Sequence, residues 1–166
     1  YKNEALNMDD ASFRDPSGNV LHYKNEIYRI INNNYKNEFE HFIKSGLYEK
    51  LISENLLVQY KENSAIQIKS EFDNFYKIIK QEKIHFISYP YEWSFDMLKD
   101  AALTILRIQK ICLEFEMSLK DASAYNVQFY NGKPILIDTT SFEMYQDGPW
   151  KAYRQFCEHF LAPLAL

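Results

Sequence analysis

Three side chains that carry oxygen, Asp121, Asn126 and Asp138, lie on either side of the dipeptide Asn131-Gly132. That dipeptide is typical of a two-residue β-hairpin turn, in which both residues adopt positive φ. A hairpin returns the chain on itself, so the Asp and the Asn before its first strand can lie near the Asp after its second. Carboxylate and amide oxygens suit a hard cation such as Mg²⁺, which takes its remaining ligands from water and substrate phosphates.

Phosphoryl transfer is the chemistry that this pattern favours. It needs metal ligands of this type and one carboxylate that receives or orients the attacking hydroxyl. The alternative for each residue taken alone is that an Asp or Asn beside a turn satisfies nearby backbone groups. The order and spacing of the three residues together favour a metal site, whereas each residue taken alone is compatible with bonding to nearby backbone groups.

The segment 120–126 resembles the catalytic loop of protein-kinase-like enzymes, in which an Asp is followed five positions later by an Asn. The hairpin and the Ile137-Asp138-Thr139 run resemble the segment that carries the second metal-binding Asp of that family. The resemblance implies that Asp121 is the catalytic base, that Asn126 and Asp138 bind the metal, and that the cofactors are Mg²⁺ and ATP.

The chain departs from the family at Leu119, where a His usually precedes the catalytic Asp, and at Thr139-Thr140, where Phe-Gly usually follows the metal-binding Asp. Either change is typical of a diverged or an inactive enzyme. The alternatives are therefore an active phosphotransferase and a nucleotide-binding remnant of one.

The same resemblance implies a nucleotide-binding role for three further residues. Arg29 would replace the phosphate-contacting Lys, with Glu38 or Glu40 as its partner, and the turn at 15–18 would cover the phosphates. Tyr89 and Tyr91, on either side of a proline, would line an adenine pocket. The alternative for these two aromatic residues is that they simply pack.

A second resemblance covers most of the chain. The segments 87–94, 98–103, 126–129 and 153–158 are similar to the N-terminal portion of bacterial proteins labelled class I SAM-dependent methyltransferases. It implies a covalently attached C-terminal methyltransferase domain. The four glycines are too far apart to form a glycine-rich cofactor turn, so S-adenosylmethionine is not expected to bind this chain alone.

Turn and periodicity signals predict the elements that position these residues. Strands are expected on either side of Lys24-Asn25 and along 84–89, and helices are expected from Asn32–Asn34 to Ser45-Gly46 and from Pro149 onward. Ser94 is expected to cap a long helix that ends near residue 118. Its apolar stripe consists of Leu98, Ala101, Ile105, Ile108, Cys112 and Phe115.

Bulk properties narrow the function classes. The 166 residues carry a net charge of −4 and a pI near 5.6, which argues against nucleic acid or an anionic membrane as a partner. The two cysteines, Cys112 and Cys157, predict no disulfide framework. No apolar run is long enough to cross a bilayer, so the protein is expected to be cytoplasmic.

The sequence thus predicts an α+β fold of the protein-kinase-like type, with two lobes and a truncated C-terminal lobe. Residues 1–89 would form the N-terminal lobe, with a small antiparallel sheet plus helices, and residues 90–166 a partial helical lobe. The predicted function is ATP- and Mg²⁺-dependent phosphoryl transfer to an unidentified acceptor, or nucleotide binding by an inactive remnant of such an enzyme, and the expected partner is a nucleotide or small-molecule substrate. The alternative is a non-catalytic module that positions substrate or partner for an attached methyltransferase domain.

Overall fold

The computed structural model describes residues 7–8, 15–62 and 75–166. The chain divides into two compact units. The first, called here the sheet unit, contains the described residues up to Phe39 together with those of Gln59–Lys83, and the second, the helical unit, contains Glu40–Val58 and Ile84–Leu166. This mixture of helices and sheets confirms the α+β class. The two-lobed kinase-like arrangement and its boundary at residue 89 stay predictions.

The sheet unit is built on an antiparallel sheet with the strand order β1-β2-β3-β5-β4. Its strands are β1 (Asn7–Met8), β2 (Gly18–Tyr23), β3 (Glu26–Asn32), β4 (Tyr60–Glu62) and β5 (Phe75–Gln81). Lys24 and Asn25 join β2 to β3 with φ of 49° and 63°, as a two-residue hairpin turn requires. The predicted hairpin at this position is confirmed. The segment 65–68, for which the sequence pattern also predicts a strand, lies outside the described residues.

One apolar cluster covers a face of this sheet. Leu21, Tyr28, Ile30 and Ile78 are buried together, and Tyr23 and Phe75 pack against them. Alternate residues of a strand point to the same face, which is why Tyr28 and Ile30 share the cluster. Arg29, between them on β3, is also buried.

Two short helices follow the sheet's third strand. A 3₁₀ turn (Asn33–Tyr35) leads into α1 (Lys36–Lys44), and α2 (Leu47–Ser53) comes next. Gly46 separates the two helices with φ of 87°, a conformation that glycine adopts without steric cost. The predicted helix and its stop at Ser45-Gly46 are therefore confirmed.

The long helix α3 (Phe95–Glu114) is the backbone of the helical unit. Ser94 caps it as predicted, because its Oγ accepts a hydrogen bond from Met97 N at 3.3 Å. The expected end near residue 118 is wrong. The helix stops at Glu114, since Met117–Leu119 forms strand β6 and pairs with β9 (Phe142–Met144).

The hairpin predicted around Asn131-Gly132 is confirmed. Strands β7 (Val127–Tyr130) and β8 (Lys133–Leu136) pair with each other, and the two turn residues have φ of 51° and 75°. Leu57 adds a single parallel bridge to Leu136. The hairpin lies between Asn126, a residue of the candidate site, and Ile137, which directly precedes Asp138.

The segment 84–89 is not a strand, which corrects the sequence prediction. Its alternating pattern is real, but Ser88 bonds with the Gln128 side chain in place of a neighbouring strand. Ser88 N donates to Gln128 Oε1 at 2.9 Å, and Gln128 Nε2 donates back to Ser88 O at 3.0 Å. A 3₁₀ turn at Pro90–Glu92 follows.

The C-terminal helix begins later than predicted. Pro149 does not start it, and α4 spans Tyr153–Phe156. A π-helical turn (Cys157–Leu161) follows and leads into α5 (Ala162–Ala165). We refer to Tyr153–Ala165 as the C-terminal helix.

A large apolar core holds the helical unit together. α2, α3, β6, β8, β9 and the C-terminal helix all contribute to it. Its largest fully buried side chains include Phe42, Phe142 and Phe160, and the rings of Phe42 and Phe142 stack with centroids 4.5 Å apart. Within the described part of the chain, no helix combines the length and the apolar character that crossing a membrane demands.

Candidate functional site

Asn126 and Asp138 are joined through one hydroxyl group. Asn126 Nδ2 donates to Ser141 Oγ at 3.4 Å, and Ser141 Oγ donates to Asp138 Oδ2 at 2.8 Å. The structure thus brings together the two residues that the sequence predicted as metal ligands. Ser141, which links them, is fully buried and was not foreseen.

The Asp138 carboxylate is oriented by the residues that follow it. Its Oδ1 accepts hydrogen bonds from Thr140 N at 2.9 Å and Thr140 Oγ1 at 2.7 Å, while Oδ2 accepts from Ser141. Hydroxyl residues just after an Asp commonly close such a turn on the carboxylate, so the Thr-Ser pair was the signal available in the sequence. Thr140, at one of the two unusual positions after Asp138, and Ser141 therefore fix its side chain.

Backbone hydrogen bonds fix the two loops against each other. Lys120 N donates to Ser141 O at 2.9 Å, and Ile137 N donates to Asn126 O at 2.8 Å. These bonds extend the β6–β9 pairing and the hairpin by one step each. The position of Asn126 relative to Asp138 is consequently set by main-chain contacts as well as by Ser141.

Asp121 lies at the start of the same loop and is partly exposed. Its Oδ1 accepts a hydrogen bond from Ser123 N at 2.9 Å. This is the local backbone contact that the alternative interpretation expects of an Asp beside a turn. A carboxylate has two oxygens, so this contact is compatible with a role for the other oxygen in chemistry.

The donor set suits a hard cation. Asp138 supplies a carboxylate, and the Asn126 amide directs its nitrogen at Ser141, which points its carbonyl oxygen in another direction. Mg²⁺ is bound through one or two such protein ligands, with water and phosphate oxygens completing its shell. Among the described residues, no group of three His, Cys, Asp or Glu side chains is placed to hold a metal ion.

The three residues predicted to bind nucleotide are placed as follows. Arg29 is a buried residue of β3 in the sheet unit. Tyr89 and Tyr91 belong to the helical unit, where their rings stack on each other with centroids 5.5 Å apart and an interplanar angle of 3°. Both tyrosines are exposed. A nucleotide-binding role for the three residues stays a prediction.

Phe142 and Glu143, which follow the site, anchor it to the rest of the helical unit. Phe142 is buried in the core of the helical unit. Glu143 forms an ion pair with Lys151 at 2.7 Å. Ser141, Phe142 and Glu143 therefore attach the loop after Asp138 to the rest of the unit by three different interactions.

Leu119, the residue in place of the usual His, is completely buried. Its N–H donates to Gln109 Oε1 at 2.8 Å, and its carbonyl accepts from Trp150 Nε1 at 2.7 Å. Gln109 also donates to Ser118 Oγ at 3.1 Å. The Gln109 side-chain amide and the Trp150 indole thus hold the backbone of Leu119, just before the loop 120–126.

A cleft of about 560 Å³ lies beside the side chains that hold Leu119. Gln109, Ser118, Glu143, Trp150 and Lys151 contribute to its lining. Asp121, Asn126 and Asp138 do not line it, so the cleft and the candidate site are separate features of the helical unit.

The Cys112 thiol lies in the core of the helical unit. Burial raises the pKa of the Cys112 thiol well above its usual range. Both cysteines are free thiols. A high thiol pKa makes Cys112 a poor nucleophile, so it is a packing residue.

Comparison with known proteins gives a relative in sequence and a likeness among solved structures. The nodulation protein NoeA of Rhizobium meliloti (strain 1021) is 38% identical over 157 residues, which cover 94% of this chain and 33% of that protein. The chain therefore spans about a third of the length of the relative it matches. No family model matches the chain.

The structural likeness is to vaccinia related kinase 3, with a TM-score of 0.49 and 11% sequence identity. It covers 86% of this chain and 52% of that kinase.

Proposed function

We propose that the helical unit carries a divalent-cation and nucleotide site of the phosphotransferase type, with Asn126 and Asp138 as the metal ligands and Asp121 as the base. The observation that carries the proposal is the hydrogen-bonded chain from Asn126 through Ser141 to Asp138. A purely local role for each residue would not require the two loops to share a buried hydroxyl.

In the proposed reaction Asp121 receives or orients the proton of the attacking hydroxyl. Its Oδ1 is engaged by Ser123 N, which leaves Oδ2 as the atom for this task. Thr140 and Ser141 prevent the Asp138 side chain from rotating away, so its orientation does not have to be established when a ligand arrives. Bound Mg²⁺ would neutralise charge on the phosphate oxygens and hold them in place.

The departures from the kinase pattern are compatible with retained binding. Leu119 is anchored through its backbone to Gln109 and Trp150, so the loop entry does not depend on a histidine at that position. Thr140 takes over the orientation of Asp138. These replacements support a diverged site.

The test is the thermal stability of the 166-residue chain with Mg²⁺ and ATP. A ligand that binds only the folded state at 100 times its Kd adds about 2.7 kcal/mol to the free energy of unfolding. We expect a saturable rise in the melting temperature for the wild type and for Asp100→Asn, a control on the exposed face of α3. Asp138→Asn should abolish the rise, and a wild-type protein without any rise would contradict the proposal.

A second candidate is a non-catalytic module that positions substrate or partner for an attached methyltransferase domain. The observation that favours it is the length of the relative, two thirds of which lies outside the matched region. This candidate predicts no nucleotide-dependent stabilisation, and calorimetry should find no saturable S-adenosylmethionine binding to this chain. Saturable binding of S-adenosylmethionine would instead assign a methyl-donor site to the chain itself.

A further inference from the structure

The C-terminal helix directs two hydrogen-bond acceptors at the loop 121–126. Gln155 Oε1 accepts from Ala122 N at 2.7 Å, and His159 Nδ1 accepts from Ala124 N at 3.2 Å. Residues four apart lie on the same face of a helix, so one face presents both acceptors. Gln155 and His159 had no role in the sequence prediction.

The contact with Ala124 determines the state of the His159 ring. A backbone N–H can only donate, so Nδ1 must be the unprotonated nitrogen in this arrangement. Ser123 Oγ lies 3.3 Å from the same nitrogen, and the Tyr125 ring meets the imidazole at 82° with centroids 6.1 Å apart. Three successive loop residues therefore contact His159.

In the loop 121–126, the backbone amides of residues 122–125 donate alternately to residues of the C-terminal helix and to residues of the loop itself. Asp121 accepts from the N–H of Ser123, and Ser123 accepts from the N–H groups of Tyr125 and Asn126. The acceptors for residues 122 and 124 come from the C-terminal helix. The helix thus supplies the contacts that attach this internally bonded loop to the rest of the unit at those two positions.

The helix is itself firmly placed. Phe156 and Phe160 are buried in the core of the helical unit, and Phe160 belongs to the same π-turn as His159. A π-turn inserts an extra residue into a helix and is frequent at functional sites. Because the apolar side of the helix is fixed in the core, its polar residues can hold the loop in one position.

We propose that Gln155 and His159 are positioning residues, which hold the loop 121–126 so that Asp121 and Asn126 keep the orientation that the proposed reaction requires. This inference rests on the proposed function. It assigns to both side chains the role of hydrogen-bond acceptors and places neither in contact with substrate or metal.

Two pairs of variants test the acceptor role. His159→Leu removes the acceptor, while His159→Asn supplies an oxygen at the position of Nδ1. Gln155→Met removes the other acceptor with little change in shape, and Gln155→Glu keeps it. The measurements are NMR amide exchange at Ala122 and Ala124, with the α3 amides of Ile105 and Ile108 as an internal reference, and the Kd for ATP with Mg²⁺.

A lost hydrogen bond of ordinary strength should speed exchange at the affected amide by about tenfold. We expect that change at Ala124 in His159→Leu and at Ala122 in Gln155→Met, together with weaker nucleotide binding. The α3 amides should exchange as in the wild type. His159→Asn and Gln155→Glu should restore slow exchange and the wild-type Kd.

Unchanged exchange in both acceptor-free variants would overturn the inference, as would variants that loosen the loop without weakening nucleotide binding. If the wild type binds no nucleotide, the proposed function is what has failed. The exchange rates then decide alone whether the helix holds the loop. Should His159→Leu not fold, the Gln155 pair decides the result.

Discussion

Two regions of the helical unit are held together by opposite means. The aromatic core around Phe42 and Phe142 is apolar and depends on packing. The loops at 120–126 and 137–141 depend on hydrogen bonds between buried or half-buried polar groups. Burial of apolar surface is the main source of stability, whereas a hydrogen bond adds little net free energy but strongly fixes direction.

This difference predicts which substitutions should affect stability and which should affect function. A cavity in the core weakens every element that packs there, because protein interiors relax only partly. A lost hydrogen bond in the loops leaves the core intact and changes where a carboxylate or an amide points. The two regions meet at Ser141-Phe142, where a site residue is followed directly by a core residue.

The largest effect is expected from Phe142→Ala. It would remove a fully buried ring that stacks on Phe42, and such truncations cost about 3–5 kcal/mol. Urea denaturation measures the change in the free energy of unfolding. The control is Tyr145→Ala, three residues later and exposed, which should have little effect. Equal losses in the two variants would contradict the packing account.

Compared with Phe142→Ala, Ser141→Ala is expected to lose less stability but more nucleotide binding. The change removes the donor to Asp138 and the acceptor of Asn126, which costs about 1–3 kcal/mol for buried groups. Ser53→Ala, at an exposed serine of α2, is the matched control. Nucleotide titration should show weakened binding for Ser141→Ala alone. Undiminished binding in that variant would show that the shared hydroxyl is not needed to place the two ligands.

The smallest effect is expected at Glu54, which joins α2 to α3 through ion pairs. The hydrogen bond from Lys50, with the charges of Lys50 and Arg107, lowers the pKa of Glu54 below its ordinary 4.5. Its ionised form therefore stabilises the folded state above that ordinary value. The stabilisation is lost as the pH falls through the lowered pKa.

Urea denaturation of the wild type and Glu54→Gln across the acid range checks this sign. The two proteins should differ at neutral pH and become alike below the lowered pKa. Lys44 forms a similar exposed pair with Glu40, so Glu40→Gln is the control for a pair within one helix. A difference between wild type and Glu54→Gln that grows in acid would refute the assignment.

Local signals in the sequence were sufficient for the turns and caps. Asn131-Gly132 and Lys24-Asn25 give hairpins, and Ser94 caps α3, because the few residues at each position decide the conformation. The hairpin alone was sufficient to predict that Asn126 and Asp138 lie near each other. It did not predict that Ser141 links them, since a serine after an Asp has several possible partners.

The remaining errors come from contacts distant in the chain. The segment 84–89 lacks a neighbouring strand because the Gln128 side chain occupies the backbone groups of Ser88. The long helix ends early because β6 finds its partner in β9. His159 is 35 residues from the amide it accepts from, so nothing near it in the sequence indicates that role.

Paramagnetic broadening by Mn²⁺, substituted for Mg²⁺ in the presence of ATP, decides whether Asn126 and Asp138 form the cation site. Mn²⁺ takes the same oxygen ligands. The account predicts that the Asn126 side-chain amide and the backbone amides of Asp138 and Ser141 broaden first, and that Asp138→Asn prevents it. Broadening confined to the exposed acidic residues, with the Asn126 signal unchanged, would contradict the proposal that Asn126 and Asp138 form the cation site.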